Sequence, residues 1–175
     1  MLKLPETFDL FPILISKFDI SGYDEEDDVI ERVLHHSGLG EHGLLQGSAK
    51  TSTTRNFLEE YPILQKQIQT AIDVYSKTVG LLPLKTTGSW YGVYENGGKI
   101  DRHYHANSPV SGAYYPYVES RYTSIVFDNP TTVLRPTDIW DNNTKYSEPA
   151  KEIVVQSGDL VLFPSWIYHY TDPNT

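Results

Sequence analysis

The sequence contains no cysteine. That excludes a disulfide framework, a thiolate metal site and a cysteine nucleophile, and it leaves nitrogen and oxygen as the available metal donors. Basic residues are scarce: 14 Lys+Arg against 23 Asp+Glu give a net charge of −9, with a pI near 5.0. Such a chain has no overall electrostatic footprint for nucleic acid or an anionic membrane. Long apolar runs are missing too. No segment approaches the roughly 18 apolar residues that cross a bilayer. The opening MLKLPETFDLFPILISKFDI holds no uncharged, proline-free stretch of signal-peptide length. The expectation is a cytoplasmic protein with neither nucleic acid nor membrane among its partners. There is also no nucleophile elbow, no phosphate-binding glycine loop and no paired-carboxylate signature.

What the chain does have is 13 Tyr, 6 Phe and 3 Trp in 175 residues. The tyrosines crowd the second half, which suits strands and a lined pocket. The length fits one domain. A hydrophobic share of 39% with 21% charged residues belongs to a folded globular chain. No linker rich in Gly, Ser or Pro divides it, so residues 1–175 are read as one domain, helical over about 1–85 and β over about 86–175.

The pattern along the chain supports that division. A first strand is expected between Pro12 and Ile20. Residues 24–36 read as a helix, with acidic residues in the first turn, His35 and His36 in the last, and Val29, Ile30, Val33 and Leu34 as its apolar stripe. Residues 39–54 are rich in Gly, Ser and Thr and read as a loop. A second helix starts at Pro62, runs through Leu64, Ile68, Ala71, Ile72, Tyr75 and Val79, and stops at Gly80. From about Thr86 the period becomes two. Strands are expected at Ser89–Glu95, Lys99–His105, Ser111–Val118, Ser124–Phe127, Glu152–Gln156, Leu160–Pro164 and Ile167–Thr171. Asn96-Gly97-Gly98 and Ser157-Gly158-Asp159 are hairpin signals. Residues 129–150 read as a long irregular connection. Helices followed by many short strands argue an α+β, mainly β fold with a sandwich or barrel core.

Six histidines fall in three settings. His35 and His36 suit a helix C-terminus, and His42 lies in the loop. His103-Tyr104-His105 places two imidazoles on one face of a strand. Alone, such a pair is as readily two surface histidines as two metal ligands. His169, at the end of a strand–turn–strand unit, could complete a facial triad with them. Three ligands on one face leave positions open for an organic acid and dioxygen, and imidazole suits Fe(II).

The run His103-Tyr104-His105-Ala106-Asn107-Ser108-Pro109-Val110-Ser111-Gly112-Ala113-Tyr114-Tyr115 resembles the H-x-H-x-N-S-x-x-S-G-x-Y-Y signature of a family of 2-oxoglutarate- and Fe(II)-dependent oxygenases frequent in bacteria and marine phages. Gly158-Asp159-Leu160-Val161-Leu162-Phe163-Pro164-Ser165-Trp166-Ile167-Tyr168-His169 resembles its second signature, G-x-L-x-L-F-P-S-W-x-x-H. Leu10-Phe11-Pro12, Ser89-Trp90 and Phe127-Asp128-Asn129-Pro130 match as well. The resemblance implies a double-stranded β-helix (jelly roll) with the N-terminal helices packed on one side. It implies Fe(II) held by His103, His105 and His169, with 2-oxoglutarate and dioxygen as co-substrates. The activity it implies is oxidative decarboxylation of 2-oxoglutarate coupled to hydroxylation of a small-molecule or protein substrate. Ser111 and Tyr115, on one face of the tyrosine-rich strand, are expected to help bind 2-oxoglutarate. Asn107 is expected in a turn, and Trp90, Phe163 and Trp166 in the core.

One departure stands out. The family carries, on the strand after the late histidine, an arginine that pairs with the distal carboxylate of 2-oxoglutarate. Here no Lys or Arg follows Lys151, and Thr175 comes soon after His169. The expectation is a jelly roll without its last strand, with an open edge that invites a homodimer. Arg102 and Arg121 are the stand-ins for the arginine, and Arg102 should point away from the metal face. The rival readings are a cupin-like three-histidine metalloprotein that does not use 2-oxoglutarate, and a non-catalytic jelly-roll binding or structural module.

Overall fold

The computed structural model describes residues 6–35, 38–120, 122–132 and 144–175. Its elements run β1 (Ser16–Asp19), α1 (Glu26–Leu34), β2 (Leu39–Gly40), β3 (Leu45–Gln46), β4 (Lys50–Ser52), a 3₁₀ turn (Phe57–Glu60) and α2 (Pro62–Val79). They continue β5 (Gly92–Val93), β6 (Lys99–Ile100), β7 (Val110–Tyr114), β8 (Ser124–Asp128), β9 (Ala150–Val154), β10 (Asp159–Pro164) and β11 (His169–Tyr170). The fold is mainly β, with antiparallel sheets and two α-helices among the described residues.

α2 follows its sequence closely. Pro62 occupies the first turn, where its missing N–H costs nothing. Gly80 ends the helix in the left-handed region at φ 77°. Gly80 N–H bonds to Lys77 O and Leu81 N–H to Ser76 O, which satisfies the last carbonyls. Leu64, Ile68, Ala71, Ile72 and Tyr75 are buried along one face. Its first turn is capped from outside: the Glu25 carboxylate accepts from Ile63 N–H (2.9 Å) and Leu64 N–H (3.1 Å). Glu25 immediately precedes α1, so one side chain ties the two helices together. α1 itself stops at Leu34 rather than running to residue 36, with His35 as its C-cap. His36 lies outside the described residues.

Of the three three-stranded antiparallel sheets among the described residues, two enclose the β core: β1-β10-β7 and β11-β8-β9. In the first, Leu162 pairs with Ser16 on one side and Gly112 on the other. In the second, Ile125 pairs with Ile153 and Phe127 with His169. Side chains of β10 alternate between two cores, as strand geometry requires. Leu160 and Leu162 join a cluster with Val29, Val33, Leu64, Ile68, Ile72 and Tyr75 of the helices. Val161 and Phe163 join Ile125, Phe127, Val155 and Ile167. The helices thus cover one face of the β1-β10-β7 sheet, and the second cluster covers the other.

The structure corrects several boundaries. Residues 39–54 are not simply a loop. They contain β2 and β4, which pair with each other and, through β4, with β5, and β3, which pairs with β6. Strands of two or three residues leave no periodicity to read, and their partners lie from about a dozen (β2 with β4) to more than fifty residues away (β3 with β6). The expected strand Lys99–His105 keeps regular pairing only at Lys99–Ile100, and Arg102 sits in a bend. Ser89–Glu95 shrinks to Gly92–Val93, and Ile167–Thr171 to His169–Tyr170. β7 ends before Pro116, which has no N–H to donate. Of the connection 129–150, residues 133–143 lie outside the described residues. Both hairpin signals form turns, with Gly97 at φ 80° and Gly158 at φ 88°.

Candidate metal centre

His103 and His169 face each other across an isolated antiparallel bridge. His103 N–H bonds to His169 O (3.0 Å), and His169 N–H bonds back to His103 O (2.9 Å). Two residues on, His105 N–H bonds to Ser165 O (2.8 Å), within the turn that follows β10. Backbone pairing therefore brings together histidines that are far apart in the chain. The H-x-H spacing then turns His103 and His105 to the same side.

One ligand atom from each of His103, His105 and His169 lies within 4.8 Å of the others. The ring centroids are 4.2 Å (His103–His169), 5.1 Å (His103–His105) and 5.2 Å (His105–His169) apart. Among the described residues no Asp or Glu joins the group.

The outer nitrogens fix the roles of the inner ones. His103 Nδ1 lies 2.8 Å from Asp101 O, and His169 Nδ1 lies 3.0 Å from Ile167 O. A carbonyl can only accept, so each Nδ1 carries the proton and each Nε2 keeps a free lone pair. This is the usual arrangement behind metal-bound imidazole. Electrostatics agree. Burial, with smaller contributions from His103 and His105, pushes His169 down to about 4. Burial and then His103 push His105 down. Both rings are held neutral at pH 7, the form that binds a metal. His169 is walled by Phe163 at 4.6 Å and Phe127 at 6.0 Å between ring centroids. The donor set and its tautomers fit a divalent transition metal such as Fe(II).

The remaining predicted residues fall into place unevenly. Ser111 hydrogen-bonds through Oγ to Ser165 Oγ (2.7 Å), whose residue is fully buried and also receives the His105 N–H. Tyr115 packs against the second cluster beside Ala113, and burial raises its phenol above the ordinary range. Asn107 lies in a turn. Phe163 is core, but Trp90 (49% exposed) and Trp166 (53%) are not. Trp90 stands 6.1 Å from the His105 ring between centroids, with the Arg55 guanidinium 5.4 Å from its own. A tryptophan in a strand pattern reads as core by default, and only tertiary contacts place this one at the site. Tyr94 is a second residue that sequence reasoning missed. Burial pushes it up to about 12, so its phenol stays neutral, and it lies near Tyr115. Its one local signal is Gly92, where any Cβ would lie 2.7 Å from the Tyr94 ring. Arg102 points away from the histidines, as strand alternation predicts, and pairs with Asp128. Arg121 lies outside the described residues.

Residues 88–175 match the family described as "Putative 2OG-Fe(II) oxygenase". That is half of the chain and includes all three histidines. The chain belongs to this family. Oxygenase membership agrees with a donor set of neutral imidazoles and no thiolate. No curated protein sequence matches the chain significantly. Among solved structures, the oxygenase-family chain is similar to one titled "The structure of OsALKBH1", with a TM-score of 0.61 and 14% identity. The similarity covers 94% of this chain and 87% of that one. At that identity the likeness concerns the fold.

Among the described residues, no helix of this family member is long and apolar enough to cross a membrane.

Proposed function

We propose that this chain is a non-haem Fe(II)- and 2-oxoglutarate-dependent hydroxylase. The observation that carries the reading is the convergence of three imidazoles, two of them with Nδ1 tied to a backbone carbonyl. His103, His105 and His169 would hold the iron through nitrogen. Iron with 2-oxoglutarate, when bound, supplies oxidative decarboxylation of the keto acid coupled to hydroxylation of a C–H bond by dioxygen. The protein's part is to hold and orient. Backbone carbonyls set the tautomers, and Phe127 and Phe163 keep water from the buried side of His169. Ser111 and Tyr115 lie on the strand face beside the second core, and we assign them to the 2-oxoglutarate pocket. The facing sheets β1-β10-β7 and β11-β8-β9 are read as the two halves of a jelly roll, within a single domain of residues 1–175.

The test is iron-dependent conversion of 2-oxoglutarate to succinate, measured for wild type and His169→Ala. Succinate formation by wild type, lost in the variant, supports the proposal. A wild-type chain that makes none while its 2-oxoglutarate and iron remain unbound overturns it.

A three-histidine metalloprotein that does not use 2-oxoglutarate is the second reading. Two observations favour it: among the described residues no carboxylate joins the donor set, and Arg102 is engaged by Asp128 rather than by an open pocket. Tight metal binding without succinate would select it.

A further inference from the structure

The outer side of the histidine bridge carries a second cluster. Arg102 precedes His103, and Tyr168 precedes His169, so by alternation both side chains point away from the metal face. Arg102 forms an ion pair through Nε with the Asp128 carboxylate. Its guanidinium lies 3.8 Å from the Tyr168 ring centroid. Tyr104, between the two H-x-H histidines, meets the same Tyr168 ring edge-on at 5.0 Å. Asp128 closes the loop, because its backbone N–H bonds to Tyr168 O (2.9 Å). Arg102, Asp128 and Tyr168 therefore link three segments: the one bearing His103 and His105, the one bearing His169, and the end of β8.

This linkage matters because regular pairing is thin here. β6 stops at Ile100, Arg102 is in a bend, and His103 meets His169 only in an isolated bridge. Small errors in register or tilt between the segments move the ring nitrogens out of ligating geometry. An exposed ion pair contributes little to global stability, and the Arg102 side chain is 55% exposed. Its leverage is local. A planar guanidinium can pair with a carboxylate and stack on an aromatic ring at once, which an ammonium cannot do equally well.

We infer that Arg102 is a positioning residue for the metal centre, clamping the two histidine-bearing segments from their outer side through Asp128 and Tyr168. The inference rests on the proposed metal site but not on 2-oxoglutarate chemistry.

The experiment titrates Co(II), a redox-stable probe, into the metal-free full chain and follows affinity by calorimetry and ligand-field absorption. The variants are Arg102→Met, Arg102→Lys and Asp128→Asn, with Lys145→Met as a control at the remote exposed Lys145–Asp9 pair. Arg102→Met is expected to weaken Co(II) binding about 10–100-fold and to alter the absorption bands, while the melting temperature of the metal-free chain barely moves. Arg102→Lys should recover only part of the loss. Asp128→Asn should weaken binding similarly, and combining it with Arg102→Met should add little, because both break one contact. Charge counting predicts the opposite for Arg102→Met, since removing a cation near a dication site favours the metal. Arg102→Met binding as tightly as wild type, or more tightly, overturns the inference. So does full rescue by Arg102→Lys, which would mark a charge effect. Wild type that binds no Co(II) overturns the metal centre itself, and the inference with it.

Discussion

On one side of the central sheet, β10 presents Leu160 and Leu162 to aliphatic and tyrosine side chains from α1 and α2. On the other, the same strand presents Val161 and Phe163 to a cluster that borders His169. On the helical side Tyr75 donates to Leu14 O (2.8 Å) and Tyr114 to Tyr23 (3.2 Å), while the buried Tyr91 hydroxyl and Ser76 Oγ have no hydrogen-bond partner among the described residues. The other side buries Asp159, Ser165 and His169. Asp159 is satisfied by Lys17 (2.9 Å) and Gln156 N–H (2.9 Å), and Ser165 by Ser111. One face thus holds the fold together, and the other keeps polar groups in a shielded space where they can be put to use.

Phe163→Ala should break the comparison most strongly. It removes a buried ring from between Phe127 and His169, at a cost of about 3–5 kcal/mol, and it should also weaken Co(II) binding. Urea unfolding of the metal-free chain and a Co(II) titration measure the two effects. Leu162→Ala, on the helical face, should cost about 2–5 kcal/mol yet leave the Co(II) affinity of the folded protein unchanged. If it loses affinity as Phe163→Ala does, the two faces are not functionally separate.

The pH dependence of stability sharpens the contrast. His169 is lowered from 6.5 to about 4, chiefly by burial. The unfolded chain takes up a proton near pH 6.5 that the fold refuses until near pH 4. The metal-free protein should therefore have its full stability above pH 6.5 and lose on the order of 3 kcal/mol as pH falls to 4. His105, shifted the same way, adds to the loss. Urea midpoints against pH should slope for wild type and for Leu162→Ala, and flatten for His169→Gln. The smallest effect belongs to Ser111→Ala. It leaves the buried Ser165 hydroxyl without its partner and should cost about 1 kcal/mol, again read by urea unfolding.

Much of this was legible beforehand, because it depends on local rules. α2 is bounded by Pro62 and Gly80, residues whose backbone preferences act within one turn. Gly97 and Gly158 announce turns for the same reason. His103 and His105 share a face through strand alternation, which also turns Arg102 outward. The missed features are those that need a partner. β2 and β4 exist through hydrogen bonds to each other and to β5, and β3 through its pairing with β6, and nothing in Gly/Ser/Thr-rich residues 39–54 announces them. Trp90 and Trp166 look like core residues until the packing leaves them half exposed.

By itself, then, the sequence determined which donors are on offer: without cysteine, and with two histidines in step and a third after F-P-S-W, imidazole is the donor that could hold a metal. The tertiary structure decided what those donors can do. Long-range backbone bonds bring His169 to His103, carbonyls of Asp101 and Ile167 select the tautomers, and burial keeps His169 neutral. Periodicity and turn propensity act over a few residues, whereas tautomer, proton affinity and ligand distance depend on groups that meet only when the chain has folded.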